Sequence, residues 1–261
     1  MATEKHKPLA AELPKENKMQ LNKAIIYVFA ILLFVIITYL YFSPIISGNS
    51  VINQGDITQF KGMSKELVDY KEKAGELSLW TNSMFGGMPS FTVYTLYPGN
   101  ILGIFNSILT LGLPHPSGLL FLSMLNFFIL MLALRMNVWV AISMAIASGL
   151  SSYNLTILEA GHNSKMTAIA YMPLVIAGVL MAFRNKYILG GIITAIGLSL
   201  EIKANHVQIT YYLMLMLIVF GIVELISSIR KKTLPDFFKA SAVLIVAGIF
   251  GIITNAGFLM S

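Results

Sequence analysis

The chain has 261 residues, 56% hydrophobic and 11% charged, with mean hydropathy +0.76. A soluble domain carries about 45–50% apolar and about 25% charged residues, so too little charge is present here to cover a water-facing surface, which excludes a soluble one- or two-domain enzyme and a disordered chain. The formal net charge of +6 is the basic excess of loops on the cytoplasmic side of a membrane protein, not a nucleic-acid footprint, and with no Cys there is no disulfide framework, thiolate metal site or Cys nucleophile.

Residues 1–23 are polar and Lys-rich, with Pro8 and Pro14, and read as a cytoplasmic tail. Ala24–Phe42 carries no charge over 19 residues, long enough to cross a hydrocarbon core of about 30 Å. No small-residue cleavage pattern follows it, so it reads as a retained first helix ended by Ser43-Pro44. An external loop over 45–117 comes next. Within it Thr58–Ala74 has Phe60, Met63, Leu67 and Tyr70 at helical spacing and predicts an amphipathic helix. The run from Leu79 to Pro89 is aromatic, Gly-rich and turn-prone. Asn100–Leu113 is apolar but short, which predicts an interfacial or re-entrant helix closed by Pro114-His115-Pro116.

The rest is nearly continuous membrane. With the first helix, apolar runs at 118–134, 138–153, 166–183, 187–200, 209–229 and 240–257 predict about seven spans and an all-α polytopic fold in a membrane domain over 24–261. With the N-terminus in the cytoplasm, 12 of the 18 basic residues fall on cytoplasmic segments, at the tail, Arg135, Arg184, Lys186, Arg230–Lys232 and Lys239. The positive-inside rule selects this orientation. The chain stops at Leu259-Met260-Ser261, directly after a span, which reads as a truncated C-terminus.

In that orientation the unusual polar residues share the external side. Glu159, His162, Asn163 and Lys165 lie between two spans, Glu201, Lys203, Asn205, His206 and Gln208 between two others, and Asn255 ends the last. Charged groups near the bilayer cost about 2.5–3.5 kcal/mol each on insertion scales, so two such clusters with an acidic loop predict a shared outward-facing polar site rather than solvated hairpin tips. Asp56 follows the first span in Gly55-Asp56-Ile57-Thr58. It is either an N-cap of the amphipathic helix or a carboxylate that works as a general base or binds a divalent cation. His162 and His206 are acid/base candidates or, with Glu159 and Glu201, metal ligands, although no HExxH-type spacing is present. Lys165 and Lys203 suit a phosphate or snorkel to the interface. Trp80, Phe85, Phe91, Tyr94 and Tyr97 anchor the interface or stack on a sugar. Gly190-Gly191 suits close helix packing, and the 15 Met suit core packing.

Gly55-Asp56-Ile57-Thr58-Gln59-Phe60, the Leu79–Pro89 run and Tyr94 to Pro98 resemble the N-terminal region of the YfhO-like bacterial membrane proteins, most closely Bacteroidetes-type members. The resemblance continues through Gly161-His162-Asn163-Ser164-Lys165, Tyr171-Met172-Pro173 and Ala204-Asn205-His206-Val207-Gln208-Ile209-Thr210-Tyr211-Tyr212, so it covers the chain from about residue 20 onward. It implies a GT-C-like bundle in the bacterial inner membrane, in which Asp56 matches the acidic position of the first external loop. The implied reaction moves a sugar from a polyprenyl-phosphate donor to an envelope glycan, lipid or protein acceptor. Glu159, His162, Lys165, Glu201, Lys203, Asn205, His206, Gln208 and Trp80 are then candidates for holding the donor phosphate or substrate. A transporter or flippase of lipid-linked intermediates and a non-catalytic scaffold are the competing readings; clustering at one face and the lack of a repeat weigh against transport.

Overall fold

In the computed structural model, residues 22–94 and 100–259 are described; the predicted N-terminal tail, apart from Asn22 and Lys23, and Tyr97 lie outside them. The first helix, α1 (Lys23–Tyr41), is capped by the Asn22 side chain, which accepts from the Ala24 N–H at 3.1 Å. It buries Ile26, Ala30, Phe34 and Thr38, one stripe at a spacing of four, while Ile25, Val28, Leu32, Ile36 and Leu40 stay exposed. That pattern gives one protein-facing edge and an apolar remainder suited to hydrocarbon. A short turn, α2 (Ser43–Ile46), leads to α3 (Gly55–Ala74). A two-stranded antiparallel hairpin follows, β1 (Trp80–Thr81) against β2 (Met88–Pro89), in register Trp80 to Pro89 and Thr81 to Met88. The short apolar segment forms only α4 (Leu102–Leu109).

The bundle continues with α5 (Ser117–Ala133), α6 (Val138–Gly149), α7 (Ser152–Ala160), α8 (Asn163–Phe183), α9 (Tyr187–Lys203), α10 (Val207–Lys231), α11 (Leu234–Ile253) and α12 (Ala256–Leu259). Five helical stretches among the described residues are long and apolar enough to cross a membrane, with α6 and α7 counted as one stretch over Val138–Ala160. The protein is an all-α polytopic membrane protein. Both α5 and α9 have 17 residues, about 25 Å at 1.5 Å per residue, somewhat less than a hydrocarbon core. The helix predicted over 138–153 breaks at Leu150, where Ser151 caps the next helix by accepting from Asn154 N–H and Asn154 donates to the Ser148 carbonyl.

Burial grades the helices. Nearly every face of α5 is covered, including Leu120, Phe121, Leu122 and Met124, so it forms the centre. By contrast α10 buries only Ile209, Leu213 and Ser228 along 25 residues, and α11 only Ala240, Ala247 and Gly251. These are the peripheral helices. Pro173 lies inside α8 and has no N–H to give the preceding turn; Asn126 of α5 donates to the nearby Ala170 carbonyl at 2.8 Å. The closest helix contact is between α8 and α9. A Cβ on Gly178 would lie 2.6 Å from the Thr194 backbone nitrogen, and one on Gly190 would lie 2.7 Å from the Gly178 carbonyl oxygen and closer still to the Ala182 nitrogen. The two backbones touch through glycine, as the small residues predict.

Candidate functional site

The segment after the first span folds back onto the start of α8. Gln54 is buried; its amide donates to the Leu158 carbonyl, 104 residues away, and exchanges hydrogen bonds with the Asn163 amide at 3.2 and 3.4 Å. Gly161, at φ +94°, turns the chain between α7 and α8. A Cβ there would lie 3.0 Å from the Gln54 Cβ and 3.3 Å from the Asp56 Cβ, so glycine is required both for the left-handed turn and for the approach of the first loop. This clasp places Asp56 Oδ2 2.6 Å from His162 Nδ1, with both side chains about half exposed (48% and 49%). The contact is an ion pair when the ring is protonated and a hydrogen bond when it is neutral.

The structure departs from the N-cap reading of Asp56. The cap position is Gln54, with no side-chain capping bond, and Asp56 sits in the first turn of a helix that starts three residues earlier than the predicted Thr58. Its charge complements the helix dipole there, and its carboxylate is left to face His162.

Two neighbours complete the pair's surroundings. The His115 imidazole faces the Asn163 side chain; the protein around the ring desolvates it and lowers its pKa, and Asn163 opposes that shift only in part. A cleft of about 340 Å³ lies beside the clasp, lined by Tyr41, Phe42, Ile52, Ser152, Leu158 and Glu159 among others. Glu159 is exposed on it. Neither Gln54 nor His115 was distinguishable in sequence: Gln54 is an ordinary loop amide there, and His115 reads only as a spacer between two prolines.

The other predicted residues are placed differently. Lys165 holds its ammonium 5.3 Å from the Tyr153 ring centroid, a cation–π contact one helical turn beyond His162. Glu201 and Lys203 belong to α9 itself, which runs past the predicted end at Leu200. Glu201 is fully buried, and Thr210 Oγ1 lies 2.9 and 3.0 Å from its two carboxylate oxygens. Lys203 Nζ lies against Gly103 of α4, 3.6 Å from where a Cβ would stand. Asn205 turns the chain at φ +56° and His206 precedes α10, with its Nδ1 buried and unpartnered. Gln208 donates to the Tyr212 hydroxyl at 2.8 Å. Asn255 is buried and donates to the Ser199 carbonyl at 2.9 Å. Among the described residues no hydrogen bond or ion pair joins the Asp56–His162 pair to Glu201, Lys203, Asn205, His206 or Gln208. No group of three or more His, Asp or Glu among them is arranged to hold a metal ion.

Trp80 belongs to a separate unit. Glu66 of α3 accepts from the Thr81 hydroxyl at 2.6 Å and from the Asn82 and Ser83 N–H groups at 3.0 and 2.9 Å. The Thr81 and Ser83 side chains, with the Asn82 N–H, hold the Glu66 carboxyl down at about 2. The Trp80 ring covers Gly87 of the same hairpin, where a Cβ would lie 2.7 Å from its Nε1. Because the folded pKa lies below the ordinary 4.5, docking of the hairpin is complete above that value and is lost as pH falls toward 2. We expect Trp80 fluorescence to report this acid transition and Glu66→Gln to flatten it; an unchanged acid transition in Glu66→Gln would remove Glu66 as the clamp.

The clasp makes its own prediction. Gln54→Ala leaves the Leu158 carbonyl and the Asn163 amide without their partner in a buried position, at a cost of about 1–3 kcal/mol. Thermal unfolding in detergent should register that loss, whereas Gln208→Ala, exposed on α10, should be near neutral. Comparison with protein-family models, curated proteins and solved structures gives no match.

Proposed function

We propose that the protein is a GT-C-like glycosyltransferase of the bacterial inner membrane, taking a sugar from a polyprenyl-phosphate donor to an envelope acceptor at the external face. The observation that carries this reading is the half-exposed Asp56–His162 pair, assembled by a buried clasp at one end of a lipid-facing bundle. The YfhO-like resemblance and the distribution of basic residues support it.

In this reading the pair acts as one unit. Asp56 Oδ2 accepts from His162 Nδ1–H, which leaves Nε2 as the free basic nitrogen. That nitrogen takes the proton of an acceptor hydroxyl as its oxygen bonds to the anomeric carbon. The bond from that carbon to the donor phosphate breaks, and its electron pair leaves on the phosphate oxygen. Asp56 stabilises the imidazolium. Lys165, in the first turn of α8 and held against the Tyr153 ring, supplies positive charge for the phosphate. The cleft beside the clasp receives the acceptor, with Glu159 at its rim.

The break between α6 and α7 is the feature a transporter would use, since such proteins bind at discontinuous helices. Here the polar groups at the break are Ser148, Ser151 and Asn154, which satisfy one another and carry no charge. The test is transfer of radiolabelled sugar from a polyprenyl-phosphate donor by the purified full-length protein. Equal transfer by wild type and by Asp56→Asn would sink the proposal.

A further inference from the structure

Another feature lies outside the proposed transfer site. Between α9, α10 and α11 runs a groove of about 560 Å³, walled by Leu198, Ile202, Leu213, Met214, Leu217 and Ile252. Its polar lining is confined to the α9–α10 junction, at Asn205, His206 and Thr210. Two of its three walls, α10 and α11, are the peripheral helices, and their remaining faces carry exposed Leu215, Ile222, Ile245 and Ile249. The groove is therefore continuous with the surface that meets hydrocarbon. An apolar cleft there is filled by hydrocarbon rather than water.

Polarity selects the occupant. A single apolar groove with one polar end matches one hydrocarbon chain leading to a polar headgroup. At the polar end the Glu201 carboxylate already accepts from Thr210, while His206 Nδ1 is buried with no partner. A buried imidazole nitrogen without a partner is unfavourable, and a phosphate or ester oxygen would satisfy its N–H. The geometry points to a phospholipid site, with one acyl chain in the α9–α10–α11 groove and a headgroup or ester oxygen on His206. This site is independent of the transfer reaction.

Two glycines make the test clean. Gly248 lies on the groove and Gly221 elsewhere on α10, and a Cβ at either meets nothing within 4 Å. Gly248→Leu adds side-chain volume at the groove from a Cβ with no neighbour within 4 Å, and Gly221→Leu is its matched control. The probe is phosphatidylglycerol carrying a photoreactive diazirine in one acyl chain, present in trace amount in phospholipid nanodiscs holding the full chain. Labelling of peptides containing Leu213, Leu217 and Ile252 is expected in wild type and in Gly221→Leu, and to fall about tenfold in Gly248→Leu, since each lost methylene contact weakens binding several-fold. His206→Leu should reduce labelling and His206→Asn, which keeps an N–H near the same position, should restore it. Equal labelling in the two glycine variants overturns the site, and so does displacement of the probe by stoichiometric polyprenyl phosphate.

Discussion

Asp56→Asn is expected to lower sugar transfer by about 10²–10⁴-fold, the range for removing a positioned acid/base group. The change is nearly isosteric, so the clasp of Gln54 on Leu158 and Asn163 stays in place and the loss falls on the chemistry. Without the carboxylate, the His162 ring loses the acceptor that fixes its Nδ1–H tautomer. His162→Ala should cost a similar factor. The double variant should be little worse than either single one, because groups acting as a unit are strongly non-additive. Losses that multiply in the double variant would mean that the two residues act separately, and the paired mechanism would fall.

The largest structural effect is expected at the contact of α8 with α9. Gly178→Ala would bring a methyl to 2.6 Å from the Thr194 backbone nitrogen and against its Oγ1; Gly190→Ala would bring one to 2.7 Å from the Gly178 carbonyl oxygen and against the Ala182 nitrogen. These obstacles are largely backbone and cannot rotate away, so the helices must separate. Overpacking of this kind costs typically about 1–3 kcal/mol, and a backbone obstacle puts it at the upper end. Separation would also loosen α8 where it carries Lys165 beside the His162 cap and α9 where Glu201 meets Thr210. Gly221→Ala, in open space on α10, should be neutral or slightly stabilising through helix propensity. Thermal unfolding in detergent separates these cases, and equal midpoints for Gly178→Ala and Gly221→Ala would show that the close approach carries no stability.

Helix ends were legible where an apolar run stops at a basic signal, such as Arg135, Arg184 or the Arg230–Lys232 group, and not where α6 gives way to α7 or where α9 runs on through Lys203. Glycines that let α8 and α9 touch were legible in kind, since small residues in an apolar run have few other uses. Asp56 and His162 stood out as polar groups beside spans, but their meeting depends on Gln54, whose partners lie more than 100 residues away and leave no local trace. The same holds for Glu201. As sequence it belongs to a polar cluster between two apolar runs; in the structure the helix carries it inward to Thr210, because burial is decided by neighbouring elements and not by local pattern. Trp80 is similar: its hairpin is fixed by Glu66 of α3, a charge that reads as solvent-facing in the amphipathic helix.

The reach of the Gln54 clasp sets an order of events during synthesis. Leu158 and Asn163 emerge from the ribosome long after Gln54 and Asp56, so the leading segment must wait with its carboxylate unpaired. Only when α7 and the start of α8 have been inserted can it dock. Any release of the nascent chain before that point therefore leaves an anchored, helical, but chemically unassembled product.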